Sequence, residues 1–209
     1  MSLHSRAMRA VTSMCAVIAV LVSIAPAGAS AHVRSPHRSS WTHFGHTALA
    51  INPSTASALK GLGVSVAPIA PAAPSSNGNL NFPITNPITN ALRTGEIDHS
   101  GGISLTAGST TVDLENFTIN VPGQTLSADV YVDGSAYASQ APIVNLDFSY
   151  AHLGLGHEGL SLGPVGACIN HAGLSALETA FGLKQGSLGD SLPLGTATVN
   201  YRLFSDFGW

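Results

Sequence analysis

Cysteine is nearly absent from this chain: Cys15 and Cys168 are the only two among 209 residues. Cys15 lies inside the apolar run Val11–Ala25, so Cys168 stands alone in the rest of the chain, and no internal disulfide staples the domain. Between Ala167 and Ile169 it reads as a small buried hydrophobe. Charge is equally sparse, with Asp, Glu, Lys and Arg making up 9% of the residues and eleven acids outnumbering eight bases. Such a surface excludes the clustered Lys and Arg that nucleic acid rewards, and it offers nothing to anionic lipid. Beyond residue 25 no apolar stretch reaches the length of a transmembrane helix. A P-loop and a His-Glu-x-x-His pair are missing too, and no residue set is read as catalytic.

What is present begins with an address. Arg6 and Arg9 precede the run Val11–Ala25, Pro26 breaks it, and Ala29-Ser30-Ala31 supplies a small-residue cleavage site. Residues 1–31 are therefore predicted to be a signal peptide, and the protein to be secreted, extracellular or associated with the cell surface. Residues 32–46 (HVRSPHRSSWTHFGH) are polar, His-rich and aperiodic, and are predicted to be a disordered tail. Residues 47–209 are long enough for one domain with its own core.

Within that domain Gly, Ser, Thr and Asn are plentiful and apolar residues alternate, the pattern of a turn-rich β protein. Thr47–Ile51 reads as a strand. Asn52-Pro53 opens a helix over Ser54–Leu62 that stops at Gly63. Residues 70–79 form a Pro/Ser/Gly loop. Glu96–His99 runs into Ser100-Gly101-Gly102, read as a tight turn from which Ile103–Leu105 returns. Val112 and Leu114 share one parity, Phe117, Ile119 and Val121 the other, so a β-bulge is expected near Glu115-Asn116. Leu126, Ala128, Val130 and Val132 mark a half-buried strand, Gly134–Ala141 a loop, and Val144, Leu146, Phe148 and Tyr150 the next strand. Leu160–Ile169 is extended. Asn170 caps a second helix carrying Leu174, Leu177 and Phe181, and Thr196–Leu203 closes the domain. The expected fold is mainly β: an antiparallel β-sandwich with two short helices plugging its ends.

Histidines are the suggestive chemistry. His32, His43 and His46 in the tail are candidate zinc or copper ligands, neutral imidazole being a common metal donor. Cleavage after Ala31 would place His32 at a new N-terminus, where amine and ring resemble the histidine brace of lytic polysaccharide monooxygenases. That resemblance implies a copper-dependent oxidative enzyme as one alternative. Carboxylates are scattered over strands with no paired arrangement.

Three segments resemble HtaA-type (haemin-transport-associated) domains of high-GC Gram-positive bacteria, and uncharacterised exported proteins related to them. These are Gly95–Leu105 (GEIDHSGGISL), Val112–Ile119 (VDLENFTI) and Leu126–Val130 (LSADV), with Phe82-Pro83-Ile84-Thr85 ahead of them and Leu194–Val199 behind. The resemblance implies an exported β-sandwich and makes haem binding a second alternative, with His99 as the residue supporting the iron. The N-terminal region offers Trp41 and Phe44 where haem-binding members place a tyrosine. The leading expectation is a non-enzymatic exported binding or structural module that needs no cofactor and whose partner is a cell-envelope or extracellular component.

Overall fold

The computed structural model describes residues 44–156 and 159–202. The predicted signal peptide, His32, His43 and residues 203–209 lie outside the described residues. The first strand, β1 (Gly45–Ile51), begins ahead of Thr47, so His46 is a strand residue and not part of a tail. Helix α1 (Pro53–Gly61) starts as its signals predict: the Asn52 side chain accepts from the Ser54 N–H at 3.0 Å, and Pro53 takes the first helical position. Next come β2 (Val64–Ile69), the two-residue β3 (Ala73–Pro74) inside the expected loop, and β4 (Leu80–Pro83). A third helix, α2 (Ile88–Thr94), was not expected; Pro87 precedes it and no side chain caps it, so it lacks the usual start signal.

Strands β5 (Glu96–Asp98) and β6 (Gly102–Ala107) correct the reading of Ser100-Gly101-Gly102 as a reversal. Both run antiparallel to β7 (Thr110–Asn120), β5 against Thr118–Asn120 and β6 against Thr110–Glu115, so the chain continues along one neighbour without turning back. The glycines serve close approach instead. A Cβ on Gly102 would lie 2.0 Å from the Leu114 carbonyl oxygen. Opposite this break sits the expected bulge: β7 pairs with β8 (Thr125–Val132) through Glu115↔Asp129 and then Thr118↔Ser127, with Asn116 at φ 52° as part of the extra residue. The bulge lets Val112 and Phe117 both face the core, at 2% and 6% exposure.

Strand β9 (Ser135–Asp147) absorbs the segment read as a loop after Gly134. Its hairpin with β8 turns at Asp133-Gly134, both at positive φ (49° and 77°), the backbone of a two-residue I′ turn. It ends at Asp147, whose carboxylate accepts from the Ser149 N–H, so Phe148 and Tyr150 fall outside the strand. Strand β10 (His152–Gly156) pairs with β11 (Gly159–Ile169). Helix α3 (His171–Ala180) is capped by Asn170, whose side chain accepts from the Gly173 N–H at 2.9 Å. The last strand among the described residues is β12 (Leu192–Tyr201).

The class is mainly antiparallel β, as expected, but the sheet is continuous. Its path runs β2-β6-β7-β8-β9-β11-β12-β1-β4-β3, with β12 bonded on one edge to β11 and on the other to β1. The facing layers are thus parts of one sheet, not two separately bonded sheets of a sandwich. The sheet also nearly closes on itself. Beyond β4, Ile84 bridges His99, the Thr85 N–H donates to the Asp98 carbonyl (2.8 Å), and the Ser100 N–H donates to the Pro83 carbonyl (3.1 Å). Those bonds tie β4 to the β5–β6 line, with His99 at the seam. Inward-facing side chains such as Ile84, Val112, Ala128 and Val199 form the core, and Phe82 meets Phe117 edge to face at 5.2 Å.

Candidate functional site

Curling one sheet nearly closed leaves space that its own side chains do not fill. A cavity of about 400 Å³ lies along the inner face, within the range of roughly 300–1,000 Å³ typical of small-molecule sites. Every strand from β4 to β9 contributes, as do β1, β2, β11 and β12, and α3 adds Leu174, Leu177 and Ala180. Helix α3 packs against β9 and β7 and forms part of the wall. Among the described residues no Asp, Glu, Lys or Arg lines this space; its polar members are Thr47, His99, Tyr137 and Thr179. Val66, Tyr137 and Thr179 are exposed as well as lining, and mark the rim. The Thr179 hydroxyl is engaged, donating to the Ser175 carbonyl and accepting from Gln185.

The interior polar pair is Thr47 and His99, each 5% exposed. Thr47 comes from β1 and His99 from the seam, 52 positions apart, and the sheet's closure brings His99 Nε2 to 2.7 Å from Thr47 Oγ1. On the other ring nitrogen, Nδ1 lies 3.0 Å from the Phe117 carbonyl oxygen. A carbonyl only accepts, so Nδ1 carries the proton, Nε2 is bare, and the Thr47 hydroxyl donates to it. Burial pushes the His99 imidazole down to about 4, outweighing the Phe117 bond, the nearby Asp98 carboxylate and the Ile97 backbone, all of which favour the charged form. The ring is therefore neutral at neutral pH.

Hydroxyl, imidazole and an orienting carbonyl resemble a nucleophile–base pair in outline. Such a centre also needs donors for an oxyanion. The N–H groups of His99, Ser100 and Thr85 are spent on Phe117, Pro83 and Asp98 in the sheet, so none of the three is left to meet an oxyanion beside the pair. Below the seam a second polar cluster braces the wall. Asn86 donates to the Glu96 carbonyl (2.9 Å) and accepts from the Asp98 N–H (3.1 Å) and the Tyr201 hydroxyl (3.3 Å). Burial, with Asp98 nearby, raises the Tyr201 hydroxyl to about 12.

The structure separates the remaining sequence candidates. His46 lies on β1 opposite Asn200 and Pro83, half-buried in the sheet. Among the described residues no three His, Cys, Asp or Glu side chains are placed to hold a metal ion. Three short strings match nucleophile or phosphate-loop patterns. Gly159-Leu160-Ser161-Leu162-Gly163 is mid-strand in β11, with Ser161 opposite Gly154 and Asn200 and no strand-to-helix turn. In the string Gly154–Gly159, Gly154 and Gly156 lie in β10 and Gly159 begins β11. Ser57 and Lys60 are exposed on α1. Thr47 escaped sequence reasoning because nothing local marks a strand threonine as the partner of a histidine so far along the chain.

Haem would ask this cavity for an iron ligand and for cations to meet its carboxylates. His99 is the lining residue with a ring nitrogen, and both of its nitrogens are engaged; among the described residues no lysine or arginine lines the space. Tyr137, at the rim, is the lining side chain with a phenol oxygen, the other group of this cavity able to ligate iron.

No protein-family model matches the chain, and no curated protein matches it. Among solved structures it is similar to the haem-binding protein HtaB from Corynebacterium glutamicum, with a TM-score of 0.48 and 13% identity over 76% of this chain and 92% of that one.

Proposed function

We propose that this protein is an exported, non-catalytic binding module that holds a small apolar molecule inside its nearly closed sheet. The observation that carries the reading is the 400 Å³ cavity, whose described lining is apolar apart from four residues and carries no charge. An empty apolar space forfeits dispersion contacts, and a fitting apolar ligand restores them while leaving water. The leader-like pattern at residues 1–31 supports export, and a cell-envelope or extracellular source for the ligand goes with it.

The test is uptake of an environment-sensitive naphthylamine dye, with blue-shifted emission on binding. Ala197, 7% exposed and lining the cavity, is the control position: Ala197→Phe takes up part of the space and is expected to weaken uptake while circular dichroism stays unchanged. No dye uptake by the unmodified protein, or equal uptake by the variant, would refute the reading.

A second reading, haem binding, has one structural observation in its favour: His99 lines the cavity, within the Gly95–Leu105 segment that resembles HtaA-type domains. It requires Thr47 to release Nε2. Haemin titration decides it, and an absorption shift that vanishes in His99→Ala would establish it over the apolar-ligand reading.

A further inference from the structure

We propose that the Thr47 hydroxyl oxygen is the docking point, inside the cavity, for the hydroxyl group of a neutral aliphatic alcohol. This rests on the apolar-ligand reading and names the ligand class. The argument is a proton count. The Phe117 carbonyl fixes the proton on His99 Nδ1, and the bare Nε2 takes the only proton Thr47 has. Thr47 lines the cavity, its Oγ1 keeps lone pairs, and among the described residues its hydroxyl bonds to the His99 ring. The interior pair thus presents an acceptor and no free donor.

Each ligand class meets this arrangement differently. A hydroxyl donates to Thr47 Oγ1 and leaves no buried polar group unmatched. An ether or ketone brings only acceptors and finds no donor in the interior pair. The Tyr137 hydroxyl, on a side chain 63% exposed, belongs to the rim and to water. A carboxylate or an ammonium group finds no counter-charge on the described lining, and burying an unpaired charge is far costlier than burying a hydroxyl with a partner.

The experiment is displacement of the naphthylamine dye from the purified protein at neutral pH by dodecanol, dodecyl methyl ether and dodecanoate, three chains of closely similar length. One net hydrogen bond predicts that the alcohol binds about fivefold more tightly than the ether. Dodecanoate is expected to be the weakest of the three. An ether as tight as the alcohol, or a carboxylate tighter than both, overturns the inference and leaves the cavity reading standing. Dye uptake that none of the three chains displaces does the same. Absence of dye uptake sinks both together. A second measurement needs no variant: nitrogen NMR of the imidazoles is expected to show His99 neutral and protonated at Nδ1. Protonation at Nε2 would free the Thr47 proton and overturn the assignment.

Discussion

Acidifying this protein should destabilise it well before its carboxylates titrate, and the cause should be one side chain. His99 is held down to about 4 in the fold, against 6.5 when unfolded. Between those values the unfolded chain binds a proton that the folded chain refuses, so stability is complete above pH 6.5 and falls as pH drops toward 4. The shift corresponds to about 3 kcal/mol, lost at up to about 1.4 kcal/mol per pH unit. Asp129, Asp147 and Glu178 are held below their ordinary values, so their contributions are present at higher pH and fade only below their unfolded values of 3.8 to 4.5. Urea unfolding at intervals from about pH 7.5 to 4.5 isolates the histidine window between the two. His99→Phe keeps a ring at the seam and removes the titration; it should be less stable at neutral pH, yet nearly flat as the pH is lowered through that window. A flat wild-type profile, or the same slope in the variant, would refute the reasoning.

Three further outcomes follow from packing and local geometry. Leu174→Ala, at a cavity-wall position 1% exposed, should cost about 2–5 kcal/mol in urea unfolding, because it enlarges a void that the surrounding sheet already fails to close. Gly102→Ala should cost about 1–3 kcal/mol, read as a lower melting temperature, since its Cβ would need β6 and β7 to part at Leu114. Glu178 is 2% exposed, and its carboxylate accepts from the Leu188 and Gly186 N–H groups and the Ser187 hydroxyl. Glu178→Gln, which sets an amide hydrogen against those donors, should expose the segment after α3 to faster proteolytic nicking at neutral pH, with the sheet's circular dichroism unchanged.

Much of this fold is written locally, and the local part is what sequence reasoning recovered. The bulge at Asn116 follows from a parity conflict that only an extra residue resolves, and the starts of α1 and α3 follow from Asn caps. Helix α2 carries no cap signal and has no buried residue, so nothing periodic betrays it. The small and polar residues from Ser135 to Gln140 masked the strand beyond the Asp133-Gly134 turn, so the segment reads as a loop. The adjacent Gly101 and Gly102 misled in the opposite sense, since glycine serves close approach as well as reversal. The candidate site divides the same way. His99 stood out as a residue, but its meaning depends on Thr47 and Phe117, and only sheet closure brings those three together.

The adjacency of β1 and β12, with Gly45 opposite Tyr201, carries a consequence for biogenesis. A nascent chain completed only through α3 has no strand to join its beginning to β11, so its interior stays open to solvent. The interior closes only once β12 emerges, and a chaperone guarding the oily half-made ribbon until that moment would shield it from aggregation.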